Sequence, residues 1–443
     1  MFWADTFVEE VIAKRQAPYR VYDWWTPSGM AHAGHIRTFV LHEAVHQGLK
    51  RQGREATYFY GFDDMDPMDG LPPGLPADFD QYLGIPLYKI PSPDPASSSL
   101  ADYYASKYLE AMEGLHIYPE VPTTSEMYLS GQFNDAITTV LDNAAKIRGI
   151  YADLGAERHN DWHPFQPVCA QCGKIGTTYV SDWDGSVVSY RCEPKLVTWA
   201  QGCGFEGQIS PYNGNGKMPY KVEWAAKWLI LGTDYEGGGK DHFTKGGSRD
   251  YARRIAKEVL EIDEPIGYPH EFFLIGGKKM ASSKGLGMAA HEAVHILPPA
   301  VMLFFILRTP PQRQIDFTPE GDTIPRIFDD YDRALELLRS SPEANEARAL
   351  TYAYEIGQPI PDYAMRFSKV SFLIQMPHID SKIVARDEKG SDLTEAEAQE
   401  LQNTKEWAEE LRFKADKLQE KTLLLPSTKK IAQQAATQTE AAL

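Results

Sequence analysis

The clearest hydrophobic pattern lies near the start of the chain. Residues Tyr19 to Trp25 form a short run rich in aromatic positions, which predicts a β-strand. From Gly34 to Arg51 apolar residues recur at helical spacing and predict a helix whose buried face is made by Ile36, Phe39, Val40, Ala44 and Leu49. Glu55 to Phe62 predicts a second strand. A strand, a helix and a strand within residues 19–62 predict a βαβ unit, and therefore a parallel sheet.

The remaining chain shows weaker but recurring signals. Residues 66–97 are rich in proline and glycine and predict an irregular segment. Helix and strand signals follow at about 98–114, 131–150, Val222 to Leu231, Ser248 to Glu261 (a helix) and Glu271 to Ile275 (a strand). From about residue 320 onward the pattern is helical, interrupted by prolines that act as stops.

Composition narrows the class of protein. Of 443 residues, 43% are hydrophobic and 24% are charged, as in ordinary globular chains, which argues against a disordered or fibrous protein. The most apolar run, Leu297 to Leu307, is about half as long as a bilayer span requires. The N-terminus does not resemble a signal peptide, so we expect a cytoplasmic protein without a membrane partner. The net charge of −17 disfavours general binding to DNA.

Four cysteines lie close together in the sequence. Cys169 and Cys172 form a C-x2-C pair, and Cys192 and Cys203 follow. Disulfides are rare in the cytoplasm, so this spacing favours Zn²⁺ bound by four thiolates. A site with four protein ligands has no open position and would be structural. The alternative is a set of buried, inert cysteines, because the second pair is spaced more widely than usual.

These patterns predict an α/β fold. We expect a Rossmann-like, doubly wound parallel sheet with a zinc-braced insertion, followed by an α-helical C-terminal domain. The predicted boundaries are residues 1–66 for the first half of the sheet domain, 67–215 for the insertion, 216–320 for the second half with a lysine-rich loop, and 321–443 for the helical part.

Two motifs indicate chemistry on phosphates. Thr26 to His35 reads TPSGMAHAGH and lies between the first predicted strand and its helix, where nucleotides bind in open α/β sheets. His32 and His35 are three residues apart, so both imidazoles can face one ligand. Far downstream, residues Lys278 to Gly285 read KKMASSKG, a basic loop suited to holding a departing pyrophosphate. Each motif alone could be a solvated surface segment; together they are much harder to obtain by chance.

The motif pair resembles the HIGH and KMSKS signatures of class I aminoacyl-tRNA synthetases, and more specifically a class I lysyl-tRNA synthetase. Supporting segments occur in order over about residues 20–335: WTPSG, DDMDP, YLGIPL, the four-cysteine insertion, KVEW, GKDH and GGSRD. The resemblance implies ATP-dependent ligation of L-lysine to tRNA(Lys) through a lysyl-adenylate, with Mg²⁺ as counter-charge. We also expect the protein to be a monomer.

The resemblance also assigns roles to individual residues. Catalytic roles are implied for His32, His35 and Lys279. ATP binding is implied for Gly34, Lys278, Met280, Ser282, Ser283, Lys284, Asp241 and His242. Amino-acid binding is implied for Thr26, Gly29, Trp224, Tyr268 and Glu271. An ammonium on an apolar stem favours an aromatic wall and an acid at its far end, so Trp224 and Tyr268 are candidate walls, and Glu223, Glu271, Asp63 and Asp64 are candidate acids.

The sequence departs from the family pattern in several places. The lysine loop has Ser282 where the second signature lysine is usual, Met68 and Asp69 replace an expected Arg-Lys pair, and His270 replaces an aromatic residue. The helical C-terminal part looks short for a domain that reads an anticodon. Two other functions therefore remain open: a synthetase-like enzyme that loads a non-tRNA acceptor, and a non-catalytic tRNA- or nucleotide-binding module.

Overall fold

The structure is a computed structural model that describes residues 1–276, 288–318, 323–357, 361–376 and 378–422. The chain forms two compact units, one made of Met1–Phe317 with Glu343–Gln358 and the other of Thr318–Pro342 with the chain from Pro359 onward. Within the described ranges, no helix is long and apolar enough to cross a membrane.

Helices dominate both units. The first unit contains α1 (Trp3–Lys14), α2 (Gly34–Arg51), α3 (Leu100–Glu113), α4 (Thr124–Leu129), α5 (Asn134–Asp142), α6 (Ala144–Asp153), α7 (Tyr220–Leu231), α8 (Lys240–Phe243), α9 (Ser248–Glu258), α10 (Ala290–Ala293), α11 (Pro299–Leu307) and α13 (Asn345–Gly357). The second unit contains α12 (Thr323–Ser340), α14 (Phe367–Leu373), α15 (Ser381–Lys389) and α16 (Glu395–Thr422). The 3₁₀ helices are Ala77–Tyr82 and Leu87–Lys89.

In the part of the chain that the structure describes, every strand belongs to the first unit. They are β1 (Tyr19–Trp25), β2 (Ala56–Phe62), β3 (Gln166–Pro167), β4 (Thr178–Trp183), β5 (Val188–Cys192), β6 (Glu206–Ile209), β7 (Gly216–Lys217), β8 (Gly238–Gly239), β9 (Pro269–His270), β10 (Phe273–Ile275) and β11 (Ile315–Phe317). β1 and β2 pair in parallel over their whole length, as the βαβ pattern predicted.

Parallel bridges extend this pair on both sides. β2 bridges to Glu120 and Thr123, while β1 bridges to Tyr235, which bridges in turn to Ile266. β8 and β9 continue that last pairing in parallel. The order across the sheet is therefore residues 120–123, β2, β1, 235–239 and 266–270. The chain order reverses between β1 and the 235–239 segment, which makes this the switch point of a doubly wound sheet, the site at which such sheets bind ligands.

The sequence located the first elements closely. β1 and α2 have the predicted bounds, and the five predicted face residues of α2 are fully buried. The helical pattern predicted over 131–150 is confirmed, and the chain breaks there at Asn143 into the two helices α5 and α6. The Asn143 side-chain amide donates to the Thr139 carbonyl at 2.9 Å and satisfies an end of α5, which is how asparagine competes with helix continuation.

A buried arginine fixes α2 against β10. Arg37 is fully buried, and its guanidinium donates to the carbonyls of Glu271, Phe272, Pro310 and Pro311 at 3.0–3.3 Å. Burial lowers its pKa to about 10, so the group remains charged near neutral pH. Four main-chain acceptors satisfy that charge, and they hold the strand that leads into the lysine-rich loop beside the helix that carries His35.

Candidate active site

A cavity of about 550 Å³ opens at the carboxyl ends of β1 and of the 235–239 segment. It therefore lies at the switch point of the sheet. The predicted site residues that line it are Thr26, His32, Gly34, His35, Trp224, Asp241, His242 and Glu271. Two segments that are 200 residues apart in the chain thus meet around one cavity.

The two histidines lie together at the start of α2. Their ring centroids are 4.1 Å apart, and the His32 Nδ1 accepts from the Gly34 amide at 3.1 Å. The pKa of His35 is lowered to about 3, first because its ring is desolvated and then because His32 is adjacent. His35 is therefore neutral near pH 7. The N-terminus of an 18-residue helix, with its orphan amide groups, faces the same cavity and favours an anionic ligand.

The turn before α2 is braced by residues that follow the lysine-rich loop. The Ala33 amide donates to the Met288 carbonyl at 2.9 Å, and the Ala290 amide donates to the Ala31 carbonyl at 2.8 Å. The predicted loop residues Lys278, Lys279, Met280, Ser282, Ser283 and Lys284 lie outside the described residues. On the near side of that gap, β10 runs to Ile275.

A network of buried ions lies under one wall of the cavity. Lys227 bonds Asp63 and lies 3.1 Å from Glu223, while Lys217 bonds Asp66 and also lies 3.1 Å from Glu223. Both lysines and Glu223 are almost fully buried. Three carboxylates thus share two ammonium groups, and the close pairing offsets the cost of burying these charges.

This network also holds a predicted pocket residue. Asp66 accepts a hydrogen bond from the Thr26 hydroxyl at 2.8 Å, which fixes that side chain on the cavity wall. Lys217 belongs to β7, which pairs with β3 where the cysteine-containing segment begins and ends. The base of the insertion is therefore tied directly to the cavity.

The acids proposed from the sequence have other partners. Asp64 accepts from the Ser125 amide at 2.7 Å and from the hydroxyls of Ser125 and Thr124. Glu271 accepts from the Lys240 ammonium at 2.6 Å. Asp63 and Glu223 belong to the ion network. Each of these groups is used within the protein itself.

Two predicted pocket residues are not brought to this cavity. Tyr268 stacks on Phe7, with ring centroids 3.7 Å apart, and lines a different cavity. Gly29 is buried in the turn before His32 but does not line the cavity wall.

The four cysteine sulfurs form a compact cluster. All four Sγ atoms lie within 4.8 Å of one another, with Cys169 and Cys203 3.6 Å apart and Cys172 and Cys192 3.7 Å apart. Tetrahedral Zn²⁺ with Zn–S bonds of about 2.3 Å needs sulfur separations of about 3.8 Å. The donor set and its spacing therefore fit zinc.

Comparisons with known proteins agree with this geometry. The family model described as tRNA synthetases class I (K) matches residues 1–359. The chain belongs to this family. Its α/β sheet domain with attached helices is thus the domain of a class I tRNA synthetase.

Two relatives of this class I tRNA synthetase share the name lysine–tRNA ligase. The lysine–tRNA ligase of Thermoplasma acidophilum is 32% identical over 417 residues, which cover 92% of this chain and 79% of that protein. The lysine–tRNA ligase of Methanococcus maripaludis is 36% identical over 338 residues, which cover 75% of this chain and 62% of that protein. Among solved structures, a methionyl-tRNA synthetase of Mycobacterium tuberculosis bound by methionyl-adenylate matches with a TM-score of 0.41 and 12% identity, covering 89% of this chain and 83% of that one.

Sequence reasoning about this class I tRNA synthetase missed several cavity residues. Asp23, Tyr220, Glu236 and His270 line the cavity, and none was assigned a role. Glu236 precedes a run of three glycines. A single acid next to glycines belongs to no recognisable motif and does not by itself indicate a binding site. The position of Glu236 in the chain could have identified it. Glu236 follows α7 closely, where the switch point of a doubly wound sheet is expected.

Proposed function

We propose that this protein activates L-lysine with ATP and transfers the lysyl group to tRNA(Lys). The observation that carries the proposal is the His32–His35 pair at the N-terminus of α2, which opens onto a cavity with aromatic and acidic walls. The name shared by the relatives supports lysine and tRNA as the substrates.

The first step is adenylation. A carboxylate oxygen of lysine attacks the α-phosphorus of ATP, the bond from that phosphorus to the bridging oxygen breaks, and pyrophosphate leaves. The amide groups at the start of α2 stabilise the added negative charge, and His32 and His35 contact the phosphates from the same turn. Lys279, with Lys278 and Lys284, holds the departing pyrophosphate, and Mg²⁺, when bound with ATP, would supply further counter-charge.

The second step is transfer. The 2′-hydroxyl of the terminal ribose of tRNA attacks the carbonyl carbon of lysyl-adenylate, its proton is released, and AMP leaves.

The remaining site residues have binding roles in this proposal. ATP is bound by Gly34, Met280, Ser282, Ser283, Asp241 and His242, and the amino acid is bound by Thr26 and Trp224. The helical second unit and the insertion at 67–215 are assigned to contacts with tRNA.

Zn²⁺ has a structural role in this proposal. Cys169, Cys172, Cys192 and Cys203 supply four thiolates, which leaves no position for substrate. The bound ion would cross-link β5 to the turn that carries Cys169 and Cys172, and so stiffen a segment with a small core of its own.

The test is amino-acid-dependent ATP–pyrophosphate exchange with all twenty amino acids, followed by charging of total tRNA. We expect exchange with lysine alone and formation of lysyl-tRNA. Exchange with lysine but no charging of any tRNA would favour an enzyme with another acceptor. Absence of exchange with every amino acid would favour a binding module and would refute the proposal.

A further inference from the structure

Among the described residues, the carboxylates in and around the cavity outnumber the lysines that pair with them. Asp63, Asp66 and Glu223 share Lys217 and Lys227, and Glu271 has Lys240. Asp241 is exposed at the cavity mouth. Of the buried acids that line the cavity, Asp23 and Glu236, which are 6% and 3% exposed, form no ion pair with a lysine or arginine of the described part of the chain.

Glu236 is held in place by neutral donors. Its Oε1 accepts from the Trp224 indole N–H at 2.9 Å, and its Oε2 accepts from the Trp228 indole N–H. Within the described chain, no lysine or arginine nitrogen lies within 4 Å of this carboxylate. Two hydrogen bonds leave lone pairs for a further donor, because a carboxylate accepts about four. Burial raises the pKa of Glu236, and the two indole hydrogen bonds and the more distant charges of Arg249 and Lys227 offset that rise only in part.

An aromatic wall leads to this acid. Tyr220, Trp224 and Trp228 follow one another at four-residue spacing on α7, and adjacent ring centroids are 5.6 and 5.7 Å apart. His242 meets the Trp224 ring edge-on at 5.6 Å. Tyr220, Trp224 and His242 line the cavity together with Glu236. A chain of four methylenes spans roughly one helical turn, about 5.4 Å, so it can lie along Trp224 and end at the acid.

Asp23 occupies a different environment. Its Oδ1 accepts from the Trp24 amide at 2.9 Å, and its Oδ2 has no hydrogen-bond partner but lies 3.6 Å from His42 Nδ1. The charge of Asp23 raises the pKa of Tyr58, Tyr60 and Tyr108, and after burial the charge of Glu236 raises the pKa of Asp23 itself. Asp23 therefore differs from Glu236 in its partners, which are the Trp24 amide and the nearby His42 rather than the two indoles, although the two carboxylates are close enough for their charges to interact.

We propose that Glu236 receives the side-chain ammonium of the amino-acid substrate, whose apolar stem packs on Trp224. This inference rests on the proposed function and names the acid that sets its specificity. A buried carboxylate that has only neutral hydrogen-bond donors in direct contact favours a cationic side chain and rejects an isostere that lacks the ammonium, because the acid would then stay buried without an ion-pair partner.

The test compares L-lysine with L-norleucine, which has the same four-carbon stem without the ammonium. Binding of each is measured by isothermal titration calorimetry for the wild type, E236Q, D23N and E43Q. E43Q is the matched control, since Glu43 is a buried glutamate of α2 that bonds His46 and Gln47 outside the cavity. ATP binding to each variant verifies that the fold is retained.

We expect E236Q to bind lysine about 100-fold more weakly than the wild type, with its preference for lysine over norleucine lost. E43Q is expected to keep that preference. Wild-type lysine affinity in E236Q would overturn the inference, as would loss of the preference in D23N alone, which would assign the ammonium to Asp23. If the wild type binds no lysine, it is the proposed function that has failed, whatever the variants do.

Discussion

His42 connects α2 to the floor of the cavity and supports a quantitative prediction. It is 1% exposed, and its Nε2 accepts from the Gly237 amide at 2.9 Å. An amide can only donate, so Nε2 carries no proton, and Nδ1 donates to the Thr38 carbonyl at 2.8 Å. Protonation of Nε2 would remove the acceptor for Gly237. The fold therefore requires a neutral His42.

The cost of acidification follows from the pKa. Burial lowers the pKa of His42 from 6.5 to about 4, so the unfolded chain takes up this proton before the folded chain does. The stabilisation that neutral His42 provides is present above pH 6.5 and is lost as the pH falls towards 4. Linkage gives a loss of about 1.8 kcal/mol between pH 7 and pH 5, and about 3.4 kcal/mol once both states are protonated.

The variant His42→Gln isolates this contribution, since a glutamine amide can accept from Gly237 but does not titrate. Urea unfolding followed by tryptophan fluorescence reports the first unit, because eight of the nine tryptophans lie within residues 1–317. The difference in unfolding free energy between wild type and variant cancels the titration of all other groups.

We expect the advantage of the wild type over His42→Gln to shrink by about 1.8 kcal/mol from pH 7 to pH 5. A constant offset between the two proteins would be compatible with lost packing alone. If the difference does not change with pH, His42 titrates equally in both states, and the bridge to Gly237 is not the reason for its burial.

Three further predictions concern other parts of the first unit. His35→Ala should lower lysine-dependent pyrophosphate exchange about 100-fold or more at an unchanged urea midpoint, and exchange at the wild-type rate would remove the motif from the mechanism. Lys227→Met should destabilise the protein by about 3–5 kcal/mol, because Asp63 and Glu223 lose a shared cation; an unchanged urea midpoint would contradict the buried network. Elemental analysis should find about one zinc per chain and less in Cys172→Ser, whereas a stable wild type without zinc would leave the cysteines as inert residues.

The local pattern of hydrophobic and polar residues was enough to predict the first βαβ unit and the position of the histidine motif within it. The bounds of β1 and α2 follow from short-range periodicity, which acts over a few residues and survives in the sequence. The same holds for the cysteine spacing and for the placement of His32 and His35 at the helix start. Resemblance to a known family then supplied the chemistry, which periodicity alone does not contain.

The sequence alone did not predict which acidic residue has which partner. Glu223, Asp63, Asp64 and Glu271 looked like equivalent candidates, but each is paired with a side chain or an amide elsewhere in the fold. Lys227 reaches Asp63 across 164 residues of chain. Helix α13 likewise packs with the first unit although it follows α12 of the second. Nothing in the local pattern records such partners.

The sequence by itself determined the fold class, the family and the histidine motif, because these depend on periodicity and on ordered short segments. Only the tertiary structure decided which buried charges neutralise one another and which are left over. Coulomb energy depends on distances between atoms in a low-dielectric interior, and those distances are set by the packing of segments far apart in the chain. For that reason the structure, and not the sequence, identified Glu236 as a buried cavity acid that pairs with two indoles instead of with a lysine or arginine of the described residues.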